Sequence, residues 1–159
     1  INEEIPNIIL AARWSYYFDN DDPYYAGSTD EETFARDLLF TLEELQQTKA
    51  QVWVLREVPT HMRNPLRVLS AAELRGLNAD LYKPSGEDHL RLNRWFDELI
   101  PEMEARGARI LDTAEILFDP ERDRFRMQYD LRALYYDTNH FSARGAEFVA
   151  PALAPVFEE

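Results

Sequence analysis

The chain has 159 residues, with 30 acidic against 17 basic side chains, a formal charge of −13 and no cysteine. That charge repels phosphate backbones and anionic headgroups, which argues against nucleic acid and membrane surfaces as partners, and the missing cysteine excludes disulfides and thiolate metal sites. A hydrophobic fraction of 45% with 13% aromatics marks a folded protein, and the length fits one domain with a real core.

The three histidines, His61, His89 and His140, stand far apart without metal-ligand spacing, so neither a metal nor another cofactor is assigned. No apolar run approaches the roughly 20 residues of a membrane helix, and no signal peptide is visible. A chain that starts at Ile1, a few residues before a strand, reads as part of a longer protein.

The first element is a strand over Asn7–Ala12, whose apolar run without alternation predicts a central position in a sheet covered on both faces. Arg13, Trp14 and Ser15 follow at its carboxyl end, where ligands collect in open parallel sheets. Two readings stand side by side there. Trp14 and Arg13 line a pocket, or Trp14 packs under a loop while Arg13 pairs with an acid.

The stretch from Tyr16 to Asp30 reads as a loop. Its run Asp19-Asn20-Asp21-Asp22 offers oxygen ligands to calcium but lacks the glycine and the distal glutamate of an EF-hand, so it is read as solvated and acidic. Tyr16, Tyr17, Tyr24 and Tyr25 are suited either to stacking on sugar rings or to pinning the loop.

A helix is predicted over Thr29–Thr48, opened by the capping boxes Ser28-x-x-Glu31 and Thr29-x-x-Glu32, with Phe34, Leu38, Leu42 and Leu45 on one face. Gln51–Val58 is a second buried strand. Past it His61 and Arg63 are read as surface residues, with lining of an acceptor cleft as the rival reading. Helices follow over Pro65–Arg75 and Gly86–Arg106. The second has Leu90, Phe96, Ile100 and Met103 on one side and Pro101 as a possible kink. Gly107 ends it, and Ala108–Asp112 forms another short strand.

From Thr113 the chain connects to a C-terminal motif through a charged run, Asp119–Arg126, read as a solvated turn. The motif is Tyr135-Tyr136-Asp137-Thr138-Asn139-His140-Phe141-Ser142. Ser142 is a helix N-cap, and Ala146, Phe148, Val149 and Leu153 give the last helix, Ser142–Phe157, an apolar face that Pro151 and Pro155 distort. Asp-x-x-His immediately before a helix can put a carboxylate and an imidazole on one turn, the acid fixing the tautomer and the base serving a nucleophile from elsewhere. The same pair also arises by chance as a surface or capping pair.

Helix-to-strand alternation predicts an α/β fold, a three-layer α/β/α sandwich with a mainly parallel sheet, and no repeat or low-complexity linker marks a second domain.

The string YYDTNHFSARGAEFVAPAL resembles the last motif block of the SGNH hydrolase superfamily, and Ile8 to Ser15, IILAARWS, resembles a strand ending in Arg-Trp in its subgroup fused to acyltransferase 3 membrane proteins. Together with VWVLREVP between them, the resemblance covers most of the chain, while only its two ends are specific.

The resemblance implies that Asp137 and His140 are the acid and base of a serine triad whose Gly-Asp-Ser block lies upstream of Ile1, so that the chain lacks the N-terminal strand of the fold. It implies Arg13 and Trp14 as pocket or oxyanion candidates, because the Asn that donates to the oxyanion elsewhere in the superfamily is missing. Relatives place a cysteine pair where Phe118 and Met127 stand, so apolar packing would replace a disulfide there.

The implied activity is O-acetyl transfer to a bacterial surface polysaccharide such as lipopolysaccharide. Its partners would be a membrane acyltransferase domain of the same polypeptide, an acyl donor and a glycan acceptor, and its place the periplasmic side of the inner membrane. The rival readings are a carbohydrate esterase, a non-catalytic glycan-binding or docking module, and a flavodoxin-like interaction domain with an accidental Asp-x-x-His.

Overall fold

A computed structural model describes residues 5–17 and 30–158. In chain order its elements are β1 (Asn7–Ala11), a 3₁₀ turn (Trp14–Tyr17), α1 (Glu31–Gln46), β2 (Gln51–Leu55), α2 (Pro65–Arg75), a 3₁₀ turn (Ala79–Tyr82), α3 (Gly86–Ala105), β3 (Arg109–Leu111) and α4 (Ala114–Leu117). The short strands β4 (Phe118–Asp119), β5 (Arg124–Phe125), β6 (Gln128–Tyr129) and β7 (Arg132–Ala133) follow, then α5 (Ala143–Val149) and a 3₁₀ turn (Ala150–Val156). The chain groups into two units, one of residues up to Glu57 with Leu92–Asp112, the other of Val58–Arg91 with Thr113 onward.

The first unit is built on a parallel sheet of order β1-β2-β3, with Ile8 opposite Val52 and Val54 opposite Ile110. This is the α/β arrangement the alternation of elements predicted. Side chains of one phase, Leu10, Val52, Val54 and Ile110, meet Leu38, Leu39 and Leu42 of α1 and Phe96 and Met103 of α3 in one core. The face of α1 is the expected one.

Two expectations for this unit are corrected, and a third for the opening turns of α3, which belong to the other unit. β2, not β1, is the middle strand of the described sheet. β1 pairs on one side only among the described residues, and its side chains alternate between half-buried and exposed, Ile9 being exposed. An apolar run does not reveal whether one face or two will be covered. The described cap of α1 is Asp30, one carboxylate oxygen accepting the Thr33 N–H at 2.8 Å and the other its hydroxyl at 3.1 Å; Ser28 and Thr29 lie outside the described residues. A charged acceptor is favoured at the positive end of a helix. In the opening turns of α3 the buried side chain is His89, while Leu90 is exposed, because the inward phase runs one residue earlier than the leucine spacing indicated.

Beyond β2, Arg56 donates to Asp97 on α3 at 2.6 Å and to Asp112 after β3 at 3.0 Å, and its N–H bonds the Leu111 carbonyl. These contacts tie the carboxyl ends of β2 and β3 to the helix. Gly107, at φ +76°, ends α3 in the left-handed region as expected.

The second unit has its own core, made by Ala114, Leu117, Phe125, Leu134, Tyr135 and Val149. The charged run Asp119–Arg126 is not a simple solvated turn. It folds as the β4–β5 hairpin, pairing Phe118 with Phe125, and Phe125 is buried in the core while Arg126 reaches Asp119 at 3.3 Å. Phe118 packs on Phe125 with ring centroids 5.1 Å apart, and Met127 is buried. The prolines at 151 and 155 do end the last α-helix early, leaving the 3₁₀ turn from Ala150.

Candidate functional site

The Asp-His motif sits on a short turn closed by backbone pairing. Tyr135 and Phe141 form an antiparallel bridge, and the Tyr136 N–H donates to the His140 carbonyl at 2.8 Å. Within the turn, Asp137 Oδ1 accepts the N–H groups of Asn139 at 3.0 Å and His140 at 2.8 Å, while Oδ2 lies 2.7 Å from His140 Nδ1.

One carboxylate thus organises both the main chain and the ring. In the neutral imidazole this geometry puts the proton on Nδ1 and leaves Nε2 as the basic nitrogen. The His140 side chain is 73% exposed, so its ring is open to a reactant. Burial opposes the charged form of Asp137, but the two amides and the His140 ring outweigh it and hold the carboxyl below its usual range.

The turn is anchored on its C-terminal side by α5. Ser142 caps that helix, its Oγ accepting the Gly145 N–H at 3.0 Å and donating to the Ala133 carbonyl at 2.7 Å, as its sequence position predicted. Gly145 lies so close to the preceding strand that a Cβ there would stand 1.9 Å from the Leu134 carbonyl oxygen.

On the N-terminal side the reading of His61 as a surface residue is corrected. It is 1% exposed, its N–H bonds the Thr138 carbonyl at 2.8 Å, and its ring meets Tyr135 edge-on. Contacts distant in sequence bury it. Arg63 is exposed, with its guanidinium over the Tyr82 ring.

Arg13 and Trp14 belong to the other unit, at the carboxyl end of β1. Trp14 packs between Phe34 and Phe96, and its indole N–H donates to the Leu55 carbonyl at 2.7 Å, so the donor named as an oxyanion candidate is engaged within the core. The Arg13 guanidinium lies over Tyr16, and its Nε is 4.0 Å from Glu57. Tyr17 stacks on Phe34, pinning its own turn, while Tyr24, Tyr25 and the Asp19–Asp22 run lie outside the described residues.

Glu57 is the residue the sequence reading passed over. It is 3% exposed, just past β2, and its carboxylate takes the Ser15 N–H at 2.6 Å and the Ser15 hydroxyl at 2.8 Å. The signal available was an acid two residues past the apolar run Val52–Leu55, at the carboxyl end of the sheet where polar groups converge.

Among the described serines, Ser15 is bound to Glu57, Ser85 to Asp88, and Ser142 to its helix. Ser70 is exposed on α2, and Ser28 lies outside the described residues.

The model of the family described as SGNH domain (fused to AT3 domains) matches residues 1–155. Among solved structures, the chain is similar to the periplasmic domain of a lipopolysaccharide acetyltransferase from Salmonella ser. Paratyphi A, at 14% identity and a TM-score of 0.64. That match covers 98% of this chain and 57% of the other, a likeness of fold over little more than half of the solved domain. No curated protein matches the sequence.

Proposed function

The chain belongs to the family of SGNH domains fused to AT3 domains, and on that premise we propose that it serves O-acyl transfer, acetyl transfer in particular, to a bacterial surface polysaccharide. Asp137 and His140 are the acid and base of a serine triad in this reading, and the nucleophilic serine comes from a segment N-terminal to Ile1. The observation that carries it is the 2.7 Å contact between Asp137 Oδ2 and His140 Nδ1 on an exposed turn.

The chemistry follows from that contact. His140 Nε2 takes the serine proton as Oγ attacks the acyl carbonyl of the donor, then returns it to the donor's leaving group. A sugar hydroxyl next attacks the acyl-serine, losing its proton to Nε2, and the regenerated serine recovers that proton. Asp137 holds the ring in its tautomer and stabilises the imidazolium in both halves.

With the Trp14 indole bonded to Leu55, main-chain amides and Arg13, which would have to leave Tyr16 and Glu57, are the oxyanion candidates of this reading. The acyl donor is delivered by the fused membrane domain, which puts this domain on the periplasmic side. The solved lipopolysaccharide acetyltransferase domain supports that placement by its fold.

Incubating the full-length protein with acyl donor, with and without glycan acceptor, tests the reading. Acylated glycan that disappears in His140→Ala is the expected result. Free acid as the sole product, with acceptor present, would make the protein an esterase, and no turnover by a folded protein would make it a binding module.

A further inference from the structure

We infer that His61 is a positioning residue for the Asp137–His140 turn, holding it from beneath through its main-chain N–H and its buried ring. The inference rests on the proposed roles of that pair.

Three contacts carry it. The His61 N–H donates to the Thr138 carbonyl at 2.8 Å, at the tip of the turn between the acid and the base. The His61 ring meets the Tyr135 ring at a centroid distance of 4.4 Å and an angle of 82°, and Tyr135 is half of the bridge that closes the turn. Three residues on, Asn64 Nδ2 donates to the Tyr136 carbonyl at 3.3 Å while Asn64 Oδ1 caps α2 through the Arg67 N–H at 3.2 Å. The segment 61–64 is therefore a brace between α2 and the turn.

The chemistry of the ring is unusual for a packing residue. Among the described residues neither His61 nitrogen has a hydrogen-bond partner, and the Tyr135 hydroxyl, in a fully buried residue, has none either. An apolar aromatic ring at position 61 would avoid the cost of burying those nitrogens. What histidine supplies there is a small flat edge for Tyr135 to pack against, at a residue whose N–H must reach Thr138. A rounder side chain would push Tyr135, and with it the segment entering the turn.

The test separates the ring from the fold. In this chain, ¹⁵N-edited NMR reads the His140 tautomer, and hydrogen exchange reads the Asn139 and His140 amides that Asp137 Oδ1 holds. His61→Ala is expected to raise exchange at those two amides at least tenfold beyond any change in global protection and to weaken the Nδ1–H tautomer of His140. His61→Phe, which keeps a flat edge, preserves both. Should His61→Ala not fold, His61→Leu takes its place, with the same loss expected.

A folded His61→Ala or His61→Leu chain with unchanged tautomer and amide protection overturns the inference, since a residue that only fills the core lowers the melting temperature without moving either signal. These readouts need no nucleophile or substrate. They can succeed while the acyl-transfer assay fails, and the reverse.

Discussion

The Asp137 carboxylate grips His140 at two points, its ring Nδ1 at 2.7 Å through Oδ2 and its main-chain N–H at 2.8 Å through Oδ1. The carboxylate and the imidazole are thus held together without any substrate, and in the proposed triad the orientation of the base depends on a single side chain. Asp137→Ala should lower acyl transfer by about 10²–10⁴-fold while the protein stays folded, its melting temperature falling by only a few degrees. Steady-state rates and thermal unfolding check the pair of outcomes; equal and small effects on both would fit an ordinary surface turn.

The direction of the Asp137 shift sets a pH dependence. Its folded value lies below 3.8, so the stabilisation it brings is complete above the ordinary carboxylate range and is lost only as the pH falls through the lower folded value. Protection of the Asn139 amide should therefore persist at pH 4 and collapse below it, which hydrogen exchange at stepped pH measures. Collapse near pH 5 would contradict the hydrogen bonds described for the carboxylate.

His61 adds to the loss of stability on acidification, by a different cause. Burial, helped by the nearby Lys83 charge, lowers its folded value from 6.5 to about 4, so between those values the unfolded chain binds a proton that the folded one refuses. Stability is full above pH 6.5 and falls as the pH drops towards 4, by about 3 kcal/mol over the range. Denaturant unfolding at several pH values should show that slope in the wild type and a flatter one in His61→Phe.

Glu57 is a buried acid whose partners are supplied by the turn after β1. Glu57→Leu leaves the Ser15 N–H and hydroxyl buried without an acceptor and should cost about 2–4 kcal/mol. Ser15→Ala removes one bond and should cost about 1–2 kcal/mol. Urea melts of both variants and of the double mutant check this, the double falling short of the sum because the two residues share the interaction.

Gly145 tolerates no side chain without movement. Gly145→Ala places a methyl against the Leu134 carbonyl, so either α5 or the strand entering the turn must shift. The expected cost is about 2–4 kcal/mol, with chemical-shift changes in an NMR spectrum concentrated at residues 134–146. A neutral Gly145→Ala would mean that α5 packs less closely on Leu134 than described.

What the sequence made legible was local. Asp137 meets His140 and Ser142 meets Gly145, each three residues away, so these pairs could be named from the local pattern and the resemblance it carries, and the apolar face of α1 and the parallel strands followed from periodicity. Glu57 meets Ser15 across 42 residues, and His61 meets the turn through a backbone bond that leaves no trace in composition. Phe125 escaped notice because the charges around it masked a hairpin strand, and the closeness of Gly145 to Leu134 depends on how a helix seats, which a glycine in a sequence does not reveal.

The most direct measurement treats the full-length protein with a serine-directed fluorophosphonate, maps the labelled peptide, and repeats with His140→Ala. The account predicts a single labelled serine N-terminal to Ile1, with labelling lost in the variant. A folded protein that takes no label, or takes it equally without His140, would contradict a triad completed by Asp137 and His140.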